Sequence, residues 1–152
     1  MKNISLFLVE CAAKKMLDHC YEKGRKEEVL GLLIDETYKD KNKDNNNVFS
    51  IAKDVVTSDL DATDVSVRFS SFEKLFHELD RIDYEYQIIG WYHSHPSYTS
   101  FMSPKDIDTQ KKMFKLTHQN AIVIDPISLD MKAYALDKFN NDKIIESGYA
   151  IV

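Results

Sequence analysis

The chain has 152 residues, 43% of them hydrophobic and 11% aromatic, with a formal net charge of -5. That is a globular composition, and a chain of this length buries enough surface to fold without disulfides or a structural metal. The acidic balance argues against recognition of a phosphate backbone, and no apolar run approaches the roughly 18 residues of a membrane span, so neither nucleic acid nor membrane is expected as a partner.

Ile4–Leu8 is a short apolar run that predicts a strand. The apolar start is broken by Ser5 and Glu10, unlike a secretory leader, and a cytoplasmic protein is expected. Val9, Ala12, Ala13, Met16, Leu17 and Cys20 then recur at helical spacing and predict one buried helix face. The opposite face carries Glu10, Lys14, Lys15, Asp18, His19 and Glu22, which places His19 in solvent. Gly24 is a plausible stop. Cys11 and Cys20 share this helix, and at about 100° per residue they point to opposite faces and cannot bridge. Cys20 is expected to be a buried free thiol.

Glu27 and Glu28 introduce Val29–Ile34, an apolar run that predicts a strand covered on both faces. Gly31 inside it is expected to mark the close approach of another backbone. Asp35–Asn47 is polar and reads as an exposed loop, with Val48–Val56 as the returning strand. Thr57–Asp64 is a second polar connection, and Val65–Phe69 is a short strand candidate. Ser70 and Glu73 have capping-box spacing ahead of the helical stripe Phe72, Leu75, Phe76 and Leu79. His77 lies off that stripe and reads as structural.

Gln87–Tyr92 is a strand that leads into Gly90–Asp106, GWYHSHPSYTSFMSPKD. Ser103–Leu116 follows as a helix, with Ile107, Met113, Phe114 and Leu116 as its apolar face. Ala121–Ile124 is a buried strand stopped by Asp125-Pro126. Met131–Leu136 and Ser147–Val152 are the last strand candidates, joined by the polar turn Asp137–Asp142. No repeat or linker interrupts the chain, which predicts one domain over residues 1–152.

The chemistry concentrates in the Gly90–Asp106 stretch. His93 and His95 are two apart at a strand end, so alternation projects both imidazoles from one face. Ser103 is a natural N-cap, with Pro104 at the first helical position and Asp106 in the first turn, where the helix start favours an anion. Each piece alone also fits a solvated strand tip or an ordinary helix cap. Together, two imidazoles and a carboxylate suit Zn²⁺, and three protein ligands leave a fourth position for water. The cysteine sets of structural zinc are absent.

His93-Ser94-His95-Pro96 followed by Ser103-Pro104-Lys105-Asp106 resembles the JAMM motif of the MPN+ metalloproteases. Glu28-Val29-Leu30-Gly31-Leu32-Leu33 is similar to that family's glutamate strand. Gly90-Trp91-Tyr92, Asp106-Ile107-Asp108-Thr109-Gln110 and Val123-Ile124-Asp125-Pro126 resemble its branch of proteasome-lid deubiquitinases and signalosome deneddylases. The likeness is dense from Glu28 to Pro126 and weak at the ends.

The resemblance implies an α+β MPN fold, cytidine-deaminase-like, with a curved mixed sheet flanked by helices. It implies one Zn²⁺ per chain held by His93, His95 and Asp106, with Glu28 as general base for the attacking water and Ser103 as hydrogen-bond donor to the oxyanion. Glu27 competes for the base, and the family's pattern selects Glu28. Ser94 points away from the ligands and is assigned support only. The implied substrates are conjugates of ubiquitin or a ubiquitin-like modifier, cleaved at the isopeptide bond. Further partners implied are a second copy or a proteasome-type assembly. Val65, Val67 and Phe69 fall where relatives contact the modifier's tail, and could take an extended peptide by strand addition.

Ser100 stands where lid enzymes carry a cysteine, and His118 alone is too little for a second zinc. Without the C-terminal helices of the eukaryotic subunits, the chain reads as a compact, stand-alone, prokaryote-type member. The alternative function is a non-catalytic MPN scaffold or dimerisation module. A nucleoside deaminase shares the core fold, but its His-x-Glu and Pro-Cys-x-x-Cys pattern is missing.

Overall fold

The computed structural model describes residues 4–39, 48–58, 70, 72–77, 87–96, 99–140 and 142–152. In chain order these hold β1 (Ile4–Leu8), α1 (Glu10–Lys23), β2 (Leu30–Lys39), β3 (Val48–Thr57), β4 (Ile88–Ser94), α2 (Pro104–Met113), β5 (Asn120–Asp125), β6 (Asp130–Leu136) and β7 (Ile144–Ile151). Residues 72–77 add a helical segment between β3 and β4. Val65, Val67 and Phe69 lie outside the described residues.

The architecture is α+β, a mixed sheet with flanking helices. The strands run in the order β1-β3-β2-β4-β5-β6-β7. β1 also pairs with β7 in parallel, so the curvature goes full circle and the sheet closes into a barrel. Closure removes the unpaired edges that an open sheet has to protect.

β4 is central to the arrangement. It pairs antiparallel with β2 and parallel with β5, and every residue after Ile88 is buried. Both faces are covered, and the alternation of side chains divides them. Trp91 packs with Leu30, Leu32, Phe72 and Phe114 on the face that meets α2 and the 72–77 segment. Tyr92 packs on the other face with Leu33, Met16 and Cys20, against α1. A strand flanked by two strands and two helical layers has little freedom to shift register.

Tertiary pairing moves several element ends away from the local sequence signal. β2 continues through Asp35 to Lys39 because those polar residues pair with β3, from Asp35 opposite Ala52 to Lys39 opposite Val48. β4 continues past Tyr92 to Ser94 because His93 pairs with both Leu30 and Val123. α2 ends at Met113; Phe114 turns into the core, and Leu116, expected on the apolar face, is 54% exposed. Gly31 does mark a close approach, but of a side chain rather than a backbone: a Cβ there would stand 2.3 Å from the Tyr92 ring.

His19 is also corrected. It is buried, not solvated, and its Nδ1 lies 2.6 Å from the Tyr92 hydroxyl. An aromatic hydroxyl buried under α1 needs a polar partner, and His19 supplies it.

Cys11 is exposed and Cys20 buried, as the helical spacing requires. Burial pushes the Cys20 thiol up to about 12. A thiol reagent at pH 8 is expected to label one cysteine quickly in the native protein and the second only at the rate of unfolding. The raised pKa also gives a sign for stability. The unfolded thiol loses its proton near ~8.5 while the folded one holds it to about 12, so this contribution is complete below the first value and lost as pH rises through the second. Rapid labelling of both cysteines in the native protein would contradict the burial of Cys20.

Candidate active site

Three chain segments converge at one end of β4. His93 lies within the strand and His95 just beyond it, with ring centroids 5.7 Å apart. The antiparallel register sets Leu30 opposite His93, which brings Glu28, two residues before Leu30, alongside His95. The Glu28 Oε1 lies 3.5 Å from His95 Nε2, and Glu28 Oε2 lies 3.6 Å from Lys105 Nζ. Glu27, the competing carboxylate, is exposed.

Glu28 precedes β2 rather than lying in it, so the strand ladder alone does not hold it. Ser94 does this. Its backbone N–H donates to Val29 O at 2.9 Å, and its Oγ accepts from Val29 N at 2.9 Å and donates to Glu27 O at 3.3 Å. Gly24 leaves the room, since a Cβ there would come within 2.6 Å of the Ser94 Oγ. Ser94 points away from the imidazoles, as alternation predicts, and its support consists in clasping the backbone on both sides of Glu28.

α2 delivers the third segment. Ser103 Oγ accepts from Asp106 N at 3.2 Å, and Ser103 N donates to Asp106 Oδ2 at 3.0 Å, a complete capping box. The Asp106 side chain is 1% exposed and its Oδ2 is 3.0 Å from His93 Nε2. The helix start favours the buried negative charge, and the cap satisfies otherwise orphaned backbone donors. The cap also leaves the Ser103 hydroxyl hydrogen available to a further acceptor.

The buried face of α2 is polar, namely Asp106, Thr109 and Gln110, rather than the apolar set expected from sequence. Gln110 explains why. Its Oε1 accepts from the Trp91 Nε1 and its Nε2 donates to Phe114 O and Gln119 O, so it ties α2 to β4. The Trp91 ring in turn stacks on His93, with centroids 4.6 Å apart, and on Phe114. Sequence reasoning missed Gln110, although its position four residues after Asp106 puts both on one helix face.

The two imidazoles are held differently. His95 Nδ1 is 3.0 Å from the Thr99 carbonyl. A carbonyl only accepts, so Nδ1 carries the hydrogen and, in the neutral ring, Nε2 presents a lone pair towards Glu28. Among the described residues, His93 is the one imidazole with both ring nitrogens buried and neither in a hydrogen bond. Its 3.0 Å approach to Asp106 is close without hydrogen-bond alignment. Buried nitrogens of this kind are costly unless something ligates them.

Among the described residues, no three His, Cys, Asp or Glu side chains are already gathered as a metal-holding group. The donors nevertheless suit zinc in kind: two imidazoles and a carboxylate, one imidazole lacking any other polar partner. Glu28, His95, Phe101, Ser103, Pro104 and Lys105 line an open cavity of about 470 Å³. Ser100 takes no part in it; its Oγ donates to Asp130 and its carbonyl accepts from Tyr134.

Residues 7–119 match the family profile described as JAB1/Mov34/MPN/PAD-1 ubiquitin protease. Over 148 residues, 97% of this chain, there is 28% identity to the ubiquitin carboxyl-terminal hydrolase RPN11 of Saccharomyces cerevisiae, of which the match covers 46%. Over 121 residues, 76% of this chain, there is 34% identity to subunit 5 of the COP9 signalosome complex of Kluyveromyces lactis, of which the match covers 30%. The chain thus spans about half or less of these relatives' length. A Desulfitobacterium hafniense protein solved in solution superposes with a TM-score of 0.64, covering 97% of this chain and 92% of that one at 17% identity, a likeness of fold.

The clasp can be tested apart from any chemistry. Ser94→Ala leaves the buried Val29 N–H without its acceptor, which costs about 1–3 kcal/mol. Thermal unfolding is expected to show that loss, and an unchanged melting temperature would contradict the clasp.

Proposed function

Because the chain belongs to the JAB1/Mov34/MPN/PAD-1 ubiquitin protease family, we propose that it is a zinc-dependent isopeptidase acting on conjugates of ubiquitin or a ubiquitin-like modifier. The observation that carries this reading is the shared cavity: Glu28, His95 and Ser103 line one opening, although they come from segments far apart in sequence. Relatives of this kind include a hydrolase of the ubiquitin carboxyl terminus.

In this reading His93, His95 and Asp106 hold one Zn²⁺. When bound, the ion supplies a Lewis acid that polarises the scissile carbonyl and acidifies water. Glu28 takes the proton of the attacking water and returns it to the leaving lysine amine. Its carboxylate stands beside His95 and Lys105 in an open cavity, where water and substrate reach it. Ser103 donates its hydroxyl hydrogen to the oxyanion, from an oxygen whose position the cap fixes. Val65, Val67 and Phe69 remain the assigned contact for the modifier's extended tail. The unit that acts is the single domain of residues 1–152, working in the cytoplasm, alone, as a pair of copies or within a proteasome-type assembly. No helix among the described residues is long and apolar enough to cross a membrane.

Glu28→Gln is expected to keep one zinc per chain and to abolish cleavage of modifier conjugates, as read by metal analysis beside a conjugate panel with and without chelator. Retained turnover would sink the assignment of the base. Purified protein that holds no zinc at neutral pH would favour the scaffold reading. Ser103→Ala separates two effects by size. Loss of the cap costs about 0.5–2 kcal/mol of stability, whereas loss of an oxyanion donor lowers kcat by about 10²–10³-fold. A folded Ser103→Ala protein with near-normal kcat would leave Ser103 as a cap only.

A further inference from the structure

His95 is held from two sides, by the end of β5 and by the loop that follows β4. Its backbone N–H donates to Ile124 O at 2.7 Å, and its Nδ1 donates to Thr99 O at 3.0 Å. Thr99 has φ 62, a left-handed conformation that a β-branched residue resists. Something must hold it there, and the Asp125 carboxylate does: Thr99 N donates to Asp125 Oδ2 at 3.0 Å. Asp125 is 1% exposed. Its other oxygen, Oδ1, accepts from Ile127 N at 2.9 Å and Ser128 N at 3.3 Å, which closes the turn after β5.

The two oxygens of Asp125 therefore divide their work. A turn needs only Oδ1. Oδ2 reaches across to a different loop and holds the N–H of Thr99, the residue whose carbonyl, in the next peptide, meets His95. Without that contact Thr99 is free to relax towards the extended region, and its carbonyl swings away from Nδ1. The imidazole then loses the acceptor that keeps the hydrogen on Nδ1 and the lone pair on Nε2.

We infer that Asp125 is a positioning residue for His95, setting the ring's tautomer and orientation through the backbone of Thr99. The inference rests on the proposed role of His95 only for its consequence, since the tautomer itself is measurable without metal or substrate. Groups that orient a ligating imidazole typically change metal affinity by about 10–100-fold when removed.

The test uses the full chain, ¹⁵N-labelled and metal-free, at a pH where imidazole is neutral. Long-range ¹H–¹⁵N correlations are expected to show His95 protonated on Nδ1. Asp125→Asn leaves one accepting oxygen where Thr99 N and the turn's N–H groups need two, and is expected to give mixed tautomers or the Nε2–H form, with Zn²⁺ affinity by competition titration about 10–100-fold weaker. Thr99→Gly keeps both backbone groups and accepts φ 62 without strain, so it is expected to retain the Nδ1–H form. A wild-type His95 protonated on Nε2 overturns the inference with no variant needed, as does an Asp125→Asn protein whose tautomer is unchanged. If wild type shows the Nδ1–H form and Asp125→Asn loses it, yet neither binds zinc nor cleaves any conjugate, the functional reading fails and the positioning role stands.

Discussion

The pairing of β2 with β4, Leu30 opposite His93, is the constraint on which the site depends. A glutamate placed before one strand and imidazoles placed at the end of another meet only in that register. A slip by one residue would reverse the faces of β2 relative to β4 and carry Glu28 away from His95. The two covered faces of β4 resist that slip, because Trp91 and Tyr92 each fill a different core. Ser94 then extends the constraint beyond the ladder, through hydrogen bonds to the backbone on both sides of Glu28.

The second constraint is electrostatic. His93 and Asp106 are almost fully withdrawn from water. A carboxylate in such a place is costly unless its surroundings are arranged for it. The capping box and the helix start provide that arrangement, and Gln110 anchors the helix through Trp91. The polar inner face of α2 is thus the consequence of a helix whose task is to deliver a charge rather than to fill a core.

Around these the family profile gives the chain its family, and one open cavity gathers Glu28, His95 and Ser103. The distances are those of a site whose members are positioned by different means. Strand register sets the imidazoles, a backbone clasp sets the glutamate, and a helix cap sets the aspartate and serine. Because the supports are separate, a change in one is expected to leave the others standing, which makes the contributions separable by mutation.

Much of this was legible in the residues themselves. The helical stripe from Val9 to Cys20, the run after Glu28, the alternation of His93 and His95, and the Ser103-Pro104-Lys105-Asp106 start are local patterns, and local geometry determines them. His19, Leu116 and Gly31 were misread because their environment depends on neighbours distant in sequence. His19 lies on what looks like a solvated face until Tyr92 arrives from β4. Thr99 carried no signal at all, since its role belongs to its backbone and to Asp125. By itself the sequence determined that His93 and His95 share a strand face and that Ser103 and Asp106 open a helix, because period and capping act over a few residues. Only the tertiary structure decided their distances, the polar face of α2, the closure of the barrel and the supports behind Glu28 and His95, because those follow from strand pairing and packing between segments that the chain order leaves far apart.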